Sequence, residues 1–352
     1  MAAALLAATA SAGEHDQHGN SGQGELVFFP FVDAETFDSD DPIYDTSELD
    51  LSVDVLGSWG AGRIRVLGEL LLSTEEQDLE RFQVGWEALP NTYLWLGRFH
   101  QPASVWNTRH HHGPYLQSSI TRPAIELWED EGGVLPQHLV GLLAETRRPM
   151  GETGGVSLAA GIGVGPALKT GSLEPLEAFE FHNFENRRSW SLRANWLPDF
   201  TGDDGIGLIA SHSQIDIREA NYPGPADRVD LDVAGLFVAW THDPWRLDAA
   251  LYAMRADFVG EGSADDNFTA GYLQLRRELG KKFSILGRFE DSADTSESRY
   301  LALFSDFTSQ RTVLDFRWDF MRQQAITVEV ATSQARDSDF RELRLQWSAA
   351  LP

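Results

Sequence analysis

The residues best equipped for chemistry lie between His100 and His138. His110, His111 and His112 stand together in this stretch, Arg109 and Arg122 bring cations, and Glu126, Glu129, Asp130 and Glu131 bring acids. Imidazoles and carboxylates are ordinary zinc ligands, and a catalytic zinc needs about three of them converging, with a second shell behind. Consecutive residues of an extended chain point to alternate sides, so at most two of the three adjacent histidines share a side. No H-E-x-x-H motif occurs. The expected role of these imidazoles is to hydrogen-bond their segment to its surroundings, with a loose metal contact as the alternative. Neither a catalytic metal nor a cofactor is assigned.

Covalent catalysis finds little support. The chain has no cysteine, which removes thiolate nucleophiles and thiolate metal sites. No G-x-S-x-G occurs, and in Ser211-His212-Ser213 a strand would turn His212 away from both serines. No catalytic residue is assigned, and the expectation is a protein that is not an enzyme.

The elements that must position these residues are strands. Trp190-Ser191-Leu192-Arg193-Ala194-Asn195-Trp196 alternates apolar and polar residues, as do Leu49–Val55, Leu314–Phe320 and Ile326–Val330. That period of two suits a strand with one oily and one wet face, and these runs lack helical spacing. Sixteen such strands are expected, near 25–33, 47–59, 62–73, 79–89, 91–100, 138–147, 154–166, 187–197, 204–217, 229–242, 245–258, 267–279, 281–291, 310–320, 324–335 and 340–349. Fourteen or eighteen would also fit the pattern, given boundary errors of a few residues (about two to four). Connections sort by parity. Even-to-odd gaps are mostly tight, whereas 34–46, 101–137, 167–186, 218–228 and 292–309 are long. Tight turns on one rim and large loops on the other describe an up-and-down transmembrane β-barrel. Eleven Trp, twenty Phe and seven Tyr, many near proposed strand ends (Trp59, Trp86, Tyr93, Trp95, Trp196, Trp240, Trp245, Trp318, Trp347), supply interfacial girdles.

Composition agrees. No run of about eighteen apolar residues exists, which excludes spanning helices. Residues 1–12 end in Ala10-Ser11-Ala12 and are expected to be the remainder of a signal peptide. Residues 13–24, with His15 and His18, read as a disordered polar leader, and 25–352 as the barrel. A net charge of −26 disfavours nucleic acid. Acids crowd proposed outer loops, including Glu35, Asp38, Asp40, Asp41, Asp45 and Glu48, a distribution that enriches cations near an entrance.

Leu96-Gly97-Arg98-Phe99-His100-Gln101-Pro102, before the long 101–137 loop, resembles the corresponding strand of bacterial porins, including the phosphate-selective type. The architectural resemblance spans nearly the whole chain; the motif is only these few residues. It implies an outer-membrane channel of Gram-negative bacteria, with outer-membrane lipid and lipopolysaccharide around it and a homotrimer as its assembly. It also implies that the loop after the fifth strand folds inward and narrows the pore. The acid excess argues against phosphate selectivity. The expected constriction or lumen residues are Arg98, His100, Arg109, His110, His111, His112, Arg122, Glu126, Glu129, Asp130 and Glu131. Facing them from the wall would be Arg288, Glu290, Asp315, Arg317 and Asp319, a mixed-sign lining that filters solutes by size and dipole. The expected function is passive diffusion of small hydrophilic solutes with a cation preference. A non-conducting scaffold or conduit for a partner protein is the alternative, and an outer-membrane enzyme a more distant one.

Overall fold

The structure, a computed structural model, describes residues 25–40, 47–74, 77–110, 113–129, 131–169, 171–176, 187–218, 224–260, 266–304, 307–336 and 338–351. The expected signal peptide and leader, His111, His112, Asp130, and the acids Asp41 and Asp45 lie outside the described residues.

In chain order the strands are β1 (Glu25–Ser39), β2 (Ser47–Ala61), β3 (Ile64–Ser73), β4 (Gln77–Leu89), β5 (Thr92–His100), β6 (His138–Met150), β7 (Gly154–Val164), β8 (Ala167–Lys169), β9 (Ser172–Glu174), β10 (Arg188–Leu197), β11 (Gly205–Ile217), β12 (Arg228–His242), β13 (Trp245–Val259), β14 (Asp266–Glu278), β15 (Phe283–Ala293), β16 (Thr308–Met321), β17 (Gln324–Ala335) and β18 (Asp339–Ala350). Each wall strand pairs antiparallel with its neighbours, β7 pairs with β10, and β18 closes on β1 from Phe31↔Ala350 to Ser39↔Glu342. Sixteen strands therefore form the closed wall, and β8–β9 is a small hairpin lying against β11. Closure satisfies every wall strand on both sides and leaves no edge.

The alternation works as the sequence implies. On β16 Leu314, Phe316 and Trp318 are exposed outward while Arg311, Asp315 and Arg317 are buried inward. Leu94, Leu96, Leu142, Ile162, Leu208, Leu251 and Phe289 continue the apolar outer belt, a surface only hydrocarbon can cover at this extent. Trp59, Trp86, Trp196, Trp240, Trp245, Trp318 and Trp347 all point outward beside the tight-turn rim. They make one aromatic girdle at one interface. Tyr93 and Trp95 do not join it: Leu94 and Leu96 take the outer face of β5, and Trp95 packs inward against Phe99 and Leu143 with Tyr93 stacked on it.

Four local features depart from the simple pattern. β1 runs on to Ser39, past the expected end at 33, and the β8–β9 hairpin occupies part of a stretch expected to be loop. Between β3 and β4 the register slips, with Glu69 opposite Arg81 but Leu71 opposite Asp78, so β4 carries an extra residue and both Glu80 and Arg81 are buried. This is the two-residue step of a β-bulge. Gly97 has φ 143, and a Cβ there would stand 2.0 Å from the Phe82 carbonyl oxygen. Its ladder neighbours Gly141 and Gly163 are equally crowded by backbone, at 2.2 and 2.3 Å. The glycine of Gly97-Arg98-Phe99 is thus a packing requirement where three strands press together.

The interior is not uniformly polar. Ile209, Leu231, Val233, Phe237, Met254, Phe268 and Tyr272 face inward from β11–β14 and pack against Trp106, Ile125 and Val134 of the 101–137 loop. Leu168 and Leu173 of the small hairpin, and Tyr300 and Phe304 of the loop before β16, complete this core. Apolar contact of this kind fixes loops in place in a way that a water-filled lumen could not.

Candidate functional site

The 101–137 loop leaves β5 and enters the barrel, where it forms a short helix α1 (Val105–His110). Glu126 organises it. Its carboxylate accepts from the Ser104 hydroxyl at 2.8 Å, from the Val105 and Trp106 backbone N–H groups at 3.1 and 3.2 Å, and from the hydroxyl of Tyr252 on β13. Asn107 donates to the Glu126 carbonyl at 3.0 Å and to Gln137 at 2.9 Å, and accepts from Arg122 at 2.5 Å. The outgoing and returning arms of the loop are thereby tied to each other, and Arg122 lies over the Trp128 ring at 4.4 Å.

The wall then grips the loop at successive strands. Arg193 on β10 donates to Thr108, and Arg109 pairs with Asp248 on β13 at 3.1 Å. Gln274 on β14 meets Ser118 at 2.8 Å. Arg288 on β15 donates to Ser119 at 2.7 Å, to the Thr121 carbonyl at 2.9 Å and hydroxyl at 2.8 Å, and to the Arg122 carbonyl at 3.2 Å. Glu290 takes the Ala124 N–H at 2.6 Å. Arg317 on β16 binds the carbonyls of Tyr115 and Gln117 at 3.0 and 3.1 Å, and Glu329 on β17 accepts the N–H groups of Ile120 and Thr121 at 2.9 and 3.1 Å. The loop crosses the interior and is bonded to the far wall. Among its described residues only Glu131 is exposed.

The wall charges obey a rule absent from the sequence reading. Arg246–Asp248 (2.9 Å), Arg276–Glu278 (2.9 Å), Arg288–Glu290 (2.7 Å), Arg317–Asp319 (3.0 Å) and Arg344–Glu342 (2.7 Å) each join residues two apart on one strand. Residues two apart share a face, so an arginine and an acid two apart, in either order as Glu342–Arg344 shows, neutralise each other within the interior. Asp315, expected to face the loop, is buried, but no donor among the described residues reaches its carboxylate.

The three described histidines of the loop and its roots separate into two groups. The His110 ring packs tilted against that of Trp106, centroids 4.4 Å apart; burial, with Arg246 adding to it, pushes its pKa down to about 3. It is neutral at physiological pH. Arg109 is also lowered from its usual value, by burial. His100 and His138 instead sit together at the roots of the loop, rings 5.1 Å apart, with His138 reaching Glu129 at 2.6 Å and Glu80 at 3.2 Å. Arg98 pairs with Asp78 at 2.7 Å beside them. Glu80 was not marked by sequence: strict alternation gives it the outward face of Phe82 and Val84, and only the bulge turns it in. Asp248, Tyr252 and Gln274 were missed too, because nothing local marks a strand residue as the partner of a distant loop. His212 pairs with Asp232 at 2.8 Å on the opposite face from the buried Ser211 and Ser213, so these residues form no triad.

No protein-family model matches the chain, and no curated protein matches it by sequence. The fold has many counterparts. An anion-selective porin from Comamonas acidovorans superposes with a TM-score of 0.62 at 11% identity, over 94% of this chain and 100% of that one. OmpT, an outer membrane protein of Vibrio cholerae in a trimer form, gives 0.62 at 8% identity, over 94% and 100%. The outer membrane channel DcaP of Acinetobacter baumannii gives 0.56 at 11% identity, over 95% and 99%. At these identities the likeness is one of fold.

Proposed function

With an outer-membrane porin-like β-barrel as the premise, we propose that this protein is a narrow channel for passive diffusion of small hydrophilic solutes. The observation that carries the reading is the 101–137 loop, bonded across the interior to β10 and β13–β17. Beside it stand partly exposed interior charges of both signs, including Arg109 (18%), Arg246 (32%), Arg276 (19%) and Asp319 (28%), the proposed lining of the solute path. Opposed charges across a constriction order water and select by size and dipole. Arg98, His100, Arg122, Glu126, Glu129, Arg288, Glu290 and Arg317 hold the constriction in shape rather than meet the solute. Planar-bilayer recording tests this. Stepwise conductance is expected, and deleting residues 108–130 should raise it while the heat-dependent gel mobility of a folded barrel persists. Unchanged conductance after deletion overturns the constriction.

A cation preference is part of the proposal, supported by the net charge of −26 and acids such as Asp38 and Asp40 near the long-loop rim. The interior arginines oppose it, so the preference is modest and greatest at low salt, where screening over about 8–10 Å is relaxed. The Comamonas porin is anion-selective by description; selectivity resides in side chains that the two chains do not share. A reversal potential in a salt gradient decides the sign. Charged pairs on the outer face, Arg228–Asp230 and Arg255–Asp257, suit lipopolysaccharide headgroups, and a homotrimer is the proposed assembly.

One observation favours a second reading, a closed barrel serving as scaffold for a partner protein: nearly all of the loop is buried. Such a barrel would be silent alone and conduct only after the deletion.

A further inference from the structure

The roots of the loop carry chemistry that solute passage does not use. His100 and His138 are direct partners in the β5–β6 ladder. Glu80 reaches them from β4, its Oε2 3.2 Å from His138 Nε2. One ligand atom from each of Glu80, His100 and His138 lies within 4.8 Å of the others, and all three side chains are buried. Donors bound to zinc at about 2.0–2.2 Å in a tetrahedron stand roughly 3.3–3.6 Å apart. Small side-chain rotations would close this cluster on one ion.

Two independent features point the same way. Glu129 holds His138 Nδ1 at 2.6 Å and is itself fixed by the N–H groups of Gln137 and His138 at 2.7 and 3.2 Å. A carboxylate on one ring nitrogen sets the tautomer and leaves the other nitrogen's lone pair for a metal. The bulge in β4 is the second feature, since it re-aims Glu80 from the lipid-facing register to the cluster.

We propose that Glu80, His100 and His138 bind one divalent transition-metal ion of the zinc class. Glu129 acts as the positioning residue for His138. The ion clamps the two roots of the 101–137 loop, from three strands and with the loop's own carboxylate behind it. The competing arrangement is a protonated His138 held between Glu80 and Glu129 with no metal.

The test uses the full chain, purified in detergent without a polyhistidine tag, stripped with chelator and titrated with zinc chloride by calorimetry. One ion per chain is expected. His100→Ala and Glu80→Gln should weaken binding at least tenfold, and Glu129→Gln by about 10–100-fold, whereas His110→Ala should bind as the unmodified protein does. Heat-dependent gel mobility reports folding of each variant. Cobalt substitution of the unmodified protein gives a readout independent of any variant: intense visible d–d bands saturating at one equivalent, with quenching of tryptophan emission by way of Trp128, 5.1 Å from the His138 ring. Absence of those bands, or undiminished zinc binding in the His100 and Glu80 variants, overturns the site and leaves the protonated arrangement or the other histidines.

Discussion

Two sides of the barrel interior handle charge in different ways. On β13–β18 each arginine of the Arg-x-acid steps has its acid on its own strand, and Arg288 and Arg317 spend their remaining donors on loop carbonyls. On β1–β3 the buried acids Asp33, Asp54 and Glu69 have no such partners on their own strands; Asp33 takes the Ser52 hydroxyl and Glu69 takes Arg81 from β4. Asp54, fully buried, receives no donor among the described residues, and its charged neighbours are Glu69, Glu80 and Arg81. Pairing along a strand fixes neutrality before the barrel closes, whereas pairing across strands depends on closure and leaves an acid surplus. The loop is bonded to the side paired along its strands, where Asp315 is the exception, a buried acid with no donor among the described residues.

The largest expected effect comes from breaking the gripping side. Arg288→Ala removes a guanidinium that is fully buried against Glu290 and serves four loop acceptors. Removing one partner of a buried pair costs about 3–5 kcal/mol because the other charge stays buried and unpaired. The midpoint of the heat-dependent mobility shift should fall, and single-channel conductance should become larger and noisier. A silent substitution here would mean that the apolar core around Trp106, not the arginines, holds the loop.

Acid should loosen the same side next. His110 has an ordinary pKa of 6.5 and is held down to about 3 by burial. A depressed folded value contributes stability fully above the unfolded pKa, and that contribution drains as pH falls from about 6.5 towards about 3. The slope is about 1.4 kcal/mol per pH unit for one proton. His110→Phe keeps the ring on Trp106 but takes no proton, so its melting midpoint should fall less steeply over that window. Parallel pH profiles would assign the acid response elsewhere.

The acid side should answer with the opposite sign. Asp54→Asn replaces a buried carboxyl that no donor reaches, and that stands against the Glu69 and Glu80 carboxyls, with an amide that is neutral and can donate to them. Stability should rise, by about 1 kcal/mol, read as a higher midpoint. Destabilisation would mean that the Asp54 carboxyl has a role on this face that its surroundings do not reveal.

Much of this was legible in the chain. Sixteen strands and the parity of their connections follow from period-two alternation, because each wet residue must face the interior and each apolar one the lipid. The inward loop was legible as what the porin resemblance implies for the long 101–137 connection after the fifth strand. The small hairpin was not, since Ala167–Lys169 and Ser172–Glu174 are too short for alternation to register. The extension of β1 was hidden because Glu35-Thr36-Phe37-Asp38 carries two acids and does not alternate: Glu35 and Phe37 share the inward face, where Arg344 meets both, while Thr36 and Asp38 face out. Grouping His110 with His100 and His138 followed proximity along the chain, while the ladder pairs His100 with His138 and leaves His110 on the helix. Glu80 needed the bulge, and a bulge is a relation between two strands.

The smallest expected effect sharpens the comparison most cleanly. Arg255 and Asp257 repeat the Arg-x-Asp step on β13 at 3.2 Å, yet their side chains are 50% and 41% exposed on the outer face. In high dielectric such a pair contributes about 0–1 kcal/mol, because water solvates either charge when the other is lost. Asp257→Asn should therefore leave the melting midpoint and the conductance nearly unchanged, with any shift vanishing in high salt. Its spacing matches Arg288–Glu290, and the main difference between the two pairs is burial. If Asp257→Asn proved as damaging as Arg288→Ala, the spacing itself would carry the stability, and the contrast between a gripping wall and an exposed rim would fail.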